Sequence, residues 1–123
     1  MSVIGLDHLQ LAIPIDGETA ARRFYCDMLG LTEIPKPESL QLRGGLWLQC
    51  DNIQLHLGID PEFKAAKKAH PGLVVDNLAH LISVLQAAGH EVIENRDIPG
   101  IRRAFTTDPF GNRIELILSS ADD

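Results

Sequence analysis

The same order of secondary-structure signals runs through the first half of the chain and again through the second, and such a repeat leaves few folds open. Leu9, Leu11 and Ile13 alternate with His8, Gln10 and Ala12, the period of two that marks a strand with two unlike faces. Pro14 closes this strand and Asp16 is placed to cap a helix. That helix is predicted over 18–29, with Ala20, Phe24 and Leu29 near its apolar stripe and Gly30 just past its end. Strands follow at 31–34, 40–43, 46–50 and 53–59, broken by Pro35-Lys36-Pro37, Gly44-Gly45 and Asp51-Asn52. After a polar linker at 60–69 the pattern restarts. It gives a strand at 70–75, a cap at Asp76, a helix at 78–88 ending on Gly89, and strands at 91–94, 103–107 and 113–118. The last two strands are joined by the turn Asp108-Pro109-Phe110-Gly111-Asn112, and residues 119–123 are expected to fray.

The expected fold is therefore α+β: two βαβββ modules, about 1–59 (with the short stretch 40–43 as an extra strand) and 70–120, within one domain spanning 1–123. They are expected to pair into a curled mixed sheet around a central cavity. The absence of regularly alternating strands and long helices argues against a doubly wound parallel sheet. The two halves also agree in register. His8 precedes Gln54 by 46 positions and His70 precedes Glu115 by 45. The repeat thus matches His8 with His70 and Gln54 with Glu115, and a pseudo-twofold arrangement would gather all four.

These four are polar residues in otherwise apolar strands, and a polar group on a buried face is costly unless satisfied. Two neutral imidazoles, a carboxylate and an amide satisfy one another around a divalent cation, and two His plus one carboxylate leave positions open for substrate. Glu115 reads equally well as a residue on the solvent face of an antiparallel sheet. Composition narrows the partners. A net charge of −6, with Arg22-Arg23, Lys67-Lys68 and Arg102-Arg103 as the only basic clusters, disfavours a nucleic-acid partner. No apolar run reaches the roughly 18–20 residues that span a bilayer, and residues 1–14 lack the basic start of a signal peptide, so a cytoplasmic location is expected. Cys26 and Cys50 form no CxxC pattern and are read as buried apolar residues.

Four segments carry a resemblance to a known family. They are GLDHLQLAIP at the first strand, ARRFYCDMLGL at the first helix, HPGLVVDNL at the start of the second half, and DPFGNRIELI at the closing turn and strand. In this order and spacing the chain resembles the vicinal oxygen chelate superfamily, which embraces glyoxalases, bleomycin resistance proteins and extradiol dioxygenases. The resemblance implies a glyoxalase-like fold and one divalent metal per site (Zn, Ni, Mn or Fe). It carries ligand roles onto His8, His70 and Glu115. The family's fourth ligand position falls on Gln54, with His56 on the same face as a rival ligand or a cavity residue.

Such a metal acts as a Lewis acid on two neighbouring substrate oxygens, and Glu115, a bound water or His56 would move the proton. Gln10, Trp47, His56, Arg103, Phe105 and Thr107 are the expected substrate-binding residues, Arg103 as the group that neutralises an anion. The activity implied is that of a metal-dependent lyase or isomerase on a small molecule, in a homodimer. A metal-free antibiotic-binding protein and an Fe(II) ring-cleaving dioxygenase are the alternatives.

Overall fold

A computed structural model of the chain describes residues 1–119; the expected module end at 120 and the rest of the tail lie outside the described residues. The chain divides into two compact units between Lys64 and Ala65, inside the linker read from the sequence. Each unit is α+β with one four-stranded mixed sheet.

In the first unit, β1 (His8–Ile13) leads to α1 (Glu18–Ala21), which continues as a wider π-helical stretch, Arg22–Met28. Then come β2 (Thr32–Ile34), a 3-10 helix at Glu38–Arg43, β3 (Leu46–Cys50) and β4 (Ile53–Ile59). The sheet order is β1-β4-β3-β2, with β1 parallel to β4 and the remaining pairs antiparallel. Leu11 and Ile13 of β1, Leu46 and Leu48 of β3, and Leu55 and Leu57 of β4 are all buried, together with Ala21, Phe24 and Tyr25 of the helix. Burying each such Leu or Ile contributes roughly 1.5–3 kcal/mol. Because alternate strand residues point to opposite faces, burying this set commits His8, Gln10, Gln54, His56 and Trp47 to the other face.

Several local expectations are corrected here. Asp16 does not cap the helix. It sits at φ +64°, and the capping position falls to Gly17, which has no side chain to offer. Ala21, not Ala20, is the buried alanine. Residues 40–43 are 3-10 helix rather than strand. Pro37 starts the turn, its carbonyl accepting from Leu40 N at 2.9 Å, and Leu42 is fully exposed, so no face of this segment is buried to hold a strand. The segment ends on Gly44 and Gly45, both at positive φ. A side chain at Gly45 would collide with the Leu57 carbonyl, so only glycine fits there. Cys50 is exposed at the end of β3 and Cys26 is half-buried, so neither is the buried apolar residue expected.

In the second unit, β5 (Gly72–Val75), α2 (Leu78–Ala87), β6 (Ile93–Asn95), β7 (Arg103–Thr107) and β8 (Arg113–Leu118) repeat the plan. The order is β5-β8-β7-β6, again with the first strand parallel to the last. Leu78, Leu81 and Leu85 of α2 are buried, as are Ala104, Ile114 and Leu116 of the sheet. The cap of α2 is Asn77 rather than Asp76; its side chain accepts from His80 N at 3.1 Å. His70 stands before β5 rather than in it, because Pro71 has no N–H to enter a ladder. The sixth strand begins at Ile93, two residues later than expected.

Candidate functional site

The polar face of the first unit is built by register. His8 is opposite Gln54, Gln10 is opposite His56, and Trp47 is opposite His56 on the other side. The result is a stack of three rings. His56 lies between His8 and Trp47, 4.1 Å from each ring centroid and within 14° and 7° of parallel. The ring of His56 is buried and its Nε2 lies 2.9 Å from Gln54 Oε1. An amide oxygen only accepts, so Nε2 carries the proton and donates. Burial pushes the His56 imidazole below its ordinary pKa, the neighbouring His8 lowers it further, and Asp7 opposes both. Gly58 leaves room for Gln10, whose amide occupies the space a side chain there would need. This face opens into a cleft of about 570 Å³ lined by His8, Gln10, Trp47, Gln54 and His56.

The second unit has a matching face. Phe105 is opposite Glu115, Arg103 is opposite Asn95 of β6, and Gly72 is opposite Glu115. Glu115 is buried and held from two sides: Oε1 lies 2.9 Å from His70 Nε2 and Oε2 accepts from Arg103 Nη1 at 3.0 Å. Burial by itself pushes this carboxyl up, but the hydrogen bonds from Arg103 and His70 outweigh it and hold the group below its ordinary value. Arg103 Nε donates to Asn95 Oδ1 at 3.1 Å. Its charge is thus committed within the protein, unlike the free anion-binding Arg expected from the sequence.

The two predicted metal-ligand histidines share a detail. His8 Nδ1 lies 2.8 Å from Asp7 Oδ2, and His70 Nδ1 lies 2.8 Å from the Lys68 carbonyl. Both partners only accept, so each Nδ1 carries a proton and, in the neutral ring, each Nε2 presents a lone pair. An acceptor on Nδ1 is what orients a metal-binding imidazole. For neutral His70 that lone pair would face a carboxylate oxygen 2.9 Å away. Such a contact needs a proton or a cation between the two atoms. An imidazole nitrogen and a carboxylate oxygen are both ordinary donors to a divalent cation, so His70 and Glu115 would suit as two of its ligands. Among the described residues no group of three or more His, Cys, Asp or Glu is arranged to hold a metal.

A family model, the Glyoxalase/Bleomycin resistance protein/Dioxygenase superfamily, matches residues 5–116. The chain belongs to this superfamily. Among solved structures it resembles a glyoxalase family protein of Bacillus anthracis, with 41% identity, a TM-score of 0.91 and 98% of each chain covered. An antibiotic binding protein of Streptomyces has 22% identity and a TM-score of 0.70, with 96% of this chain and all of that one covered. Lactoylglutathione lyase of Agrobacterium tumefaciens has 21% identity and a TM-score of 0.65, with 90% and 92% covered. No curated protein matches the chain. The superfamily thus accounts for the fold, which the last two structures share at lower identity.

Within this glyoxalase-superfamily chain, the residues the sequence brought forward divide as two sets. His8, Gln10, Trp47, Gln54 and His56 meet on one face of the first unit, and His70, Arg103, Phe105 and Glu115 meet on one face of the second. Thr107, two residues from Phe105 on β7, lines with it a cleft of the second unit. Sequence reasoning missed Asp7, Asn95 and Arg113. Arg113 lies two residues before Glu115 and so shares its face, which strand alternation alone could have signalled. Asp7 directly precedes His8.

Proposed function

We propose that the chain is a metal-dependent glyoxalase-like enzyme, a lyase or isomerase of a small molecule bearing vicinal oxygens, with His8, Gln54, His70 and Glu115 as metal donors. The observation that carries this reading is the anchoring of His8 and His70 through Nδ1, which leaves Nε2 of each as the donor. A bound divalent cation would supply Lewis acidity at a substrate oxygen. Glu115, kept ionised by Arg103, is the carboxylate that would hold it, and His56, kept neutral by burial, is a base for a substrate proton. Gln10, Trp47, Phe105 and Thr107 are the proposed walls for substrate, in a soluble homodimer of the cytoplasm. Among the described residues no helix is long and apolar enough to cross a membrane. Light scattering tests the dimer; a monomer mass at all concentrations would remove it.

A second reading is a metal-free small-molecule binding protein. It is favoured by the internal satisfaction of the site: no buried side-chain polar atom among the described residues lacks a hydrogen-bond partner. Calorimetric titration with Mn²⁺, Ni²⁺, Zn²⁺ and Fe²⁺ separates the two. Binding of one ion near one per chain, lost in the His8→Ala, His70→Ala and Glu115→Ala variants, supports the enzyme. Wild-type protein that binds none of the four better than the triple variant leaves the binding protein. An Fe²⁺-only response would favour the ring-cleaving dioxygenase.

A further inference from the structure

The second unit has a cleft of about 400 Å³ whose walls include Lys67, Ile93, Phe105, Thr107 and Arg113. Two features of Arg113 set it apart from the other arginines of its unit that enter ion pairs. Arg103 is paired with Glu115 and Arg102 with Glu94, whereas no carboxylate among the described residues pairs with Arg113. Its guanidinium carbon also lies closer over the Phe105 ring, 4.1 Å from the centroid against 5.2 Å for that of Arg103. It is only partly exposed, so its charge is poorly hydrated as well as unneutralised. A stacked guanidinium keeps its in-plane N–H donors available, and their fork matches an oxyanion.

The surroundings hold this arrangement still. Asp108 and Asn112 are buried and tie the turn before Arg113. Asp108 Oδ1 accepts from Phe110 N and Asn112 N at 2.9 Å, and Asp108 Oδ2 accepts from Asn112 Nδ2 at 2.9 Å. Asn112 Oδ1 accepts from Ala66 N at 2.9 Å, and Arg113 N donates back to the Ala66 carbonyl at 2.8 Å. Lys67, the next residue, is therefore tethered at the cleft by backbone bonds on both sides of Ala66. Ile93 is 58% exposed, an apolar wall on β6 left open to solvent. Glu91 also lines the cleft, so its net charge is +1, suited to a single anionic group.

We propose that this cleft is an oxyanion subsite that takes the carboxylate or phosphonate end of a small organic acid. Arg113 binds the anion with Lys67 beside it, and Phe105 with Ile93 contacts the ligand's apolar body. Phe105 is also edge-on to His70, with ring centroids 5.6 Å apart, so a ligand seated here lies next to the His70–Glu115 pair. As the substrate class of the proposed enzyme this rests on that function; as an anion pocket it stands without the metal.

The test uses the full-length protein in EDTA, titrated with benzoate, phenylphosphonate and the neutral benzamide while backbone amide resonances are followed. Saturable shifts at Phe105, Thr107 and Arg113 are expected with both anions. Benzamide should bind at least ~10-fold more weakly, the order of a lost charge-assisted contact. Arg113→Gln should weaken benzoate ~10-fold or more, and Lys67→Gln about 3-fold. Equal binding of benzoate and benzamide, or unchanged benzoate binding in Arg113→Gln, overturns the proposal. Should that variant not fold, Arg113→Lys takes its place: it keeps the charge without the fork, and unchanged affinity for benzoate overturns the proposal equally. Anion binding that survives in a protein unable to hold metal sinks only the enzymatic function, and the converse sinks only this subsite.

Discussion

His56 lies flat against Trp47, the ring centroids 4.1 Å apart and the planes 7° from parallel, while its Nε2–H is directed to Gln54 Oε1 at 2.9 Å. The imidazole thus spends one nitrogen on the amide and both faces on neighbouring rings. It acts on Gln54 by holding the oxygen in place. We predict that Gln54→Ala weakens metal affinity and that His56→Ala leaves the metal largely bound but impairs ligand binding or turnover. Calorimetry with metal, followed by ligand titration of each variant, checks both. The reverse pattern would make His56 the ligand.

Trp47 is the chain's single tryptophan, so its fluorescence reports on this cleft alone. Ligand or metal binding in the first unit should change the emission intensity, and His56→Ala should remove most of that response. A binding event seen by calorimetry with no fluorescence change would place the ligand away from Trp47.

Arg103 bonds both Glu115 and Asn95. Arg103→Ala leaves a buried carboxylate facing His70 without its guanidinium partner and should cost about 2–3 kcal/mol of stability. Asn95→Ala removes the brace together with the two exposed bonds Asn95 makes to Asp97, and should cost about 1 kcal/mol. Urea denaturation of the two variants measures the difference, and equal losses would show that the Glu115 bond is not the larger of the two.

Stability of the metal-free protein should fall as pH falls, in two steps of the same sign. His56 has a folded pKa below its ordinary value near 6.5, so the unfolded chain takes up a proton first and stability is lost as pH drops below that value. Glu115 has a folded pKa below its ordinary value near 4.5. Its contribution is full above that value and is lost as pH falls through the lower, folded one. Denaturation at pH 7.5, 6 and 4 follows both steps; His56→Gln should flatten the first and Glu115→Gln the second.

His8→Ala, His70→Ala and Glu115→Ala should each lower metal affinity strongly. Leu55→Ala, on the opposite face of β4 and 3% exposed, should leave metal binding intact and cost about 2–5 kcal/mol of stability. Parallel metal titrations and denaturant melts separate the two kinds of loss. The pattern fails if the polar variants lose stability and keep the metal.

Much of this arrangement was legible in the chain itself. Alternation placed His8 with Gln10, Gln54 with His56, and Arg103 with Phe105 on common faces, and the repeat of element order implied two similar units. Those are local properties, since side-chain direction in a strand follows from backbone geometry one residue at a time. The 3-10 helix at Glu38–Arg43 was not legible, because three apolar or amphipathic residues between prolines and glycines suit a strand until one knows that no neighbouring surface buries Leu42. His70 fell outside β5 for a reason visible in the sequence, Pro71, whose missing N–H mattered only once a parallel partner was identified.

What the sequence by itself determined is the set of polar residues on each sheet face and the turn chemistry of Asp108–Asn112. Tertiary structure decided how those residues spend their charges and protons. Arg103 and Arg113 are both arginines on neighbouring strands of one face. Both lie over the Phe105 ring, but register places Arg103 against the Glu115 carboxylate as well, whereas Arg113 pairs with no carboxylate among the described residues. Register is a sum of hydrogen bonds between segments distant in the chain, so it is settled only when the whole sheet forms.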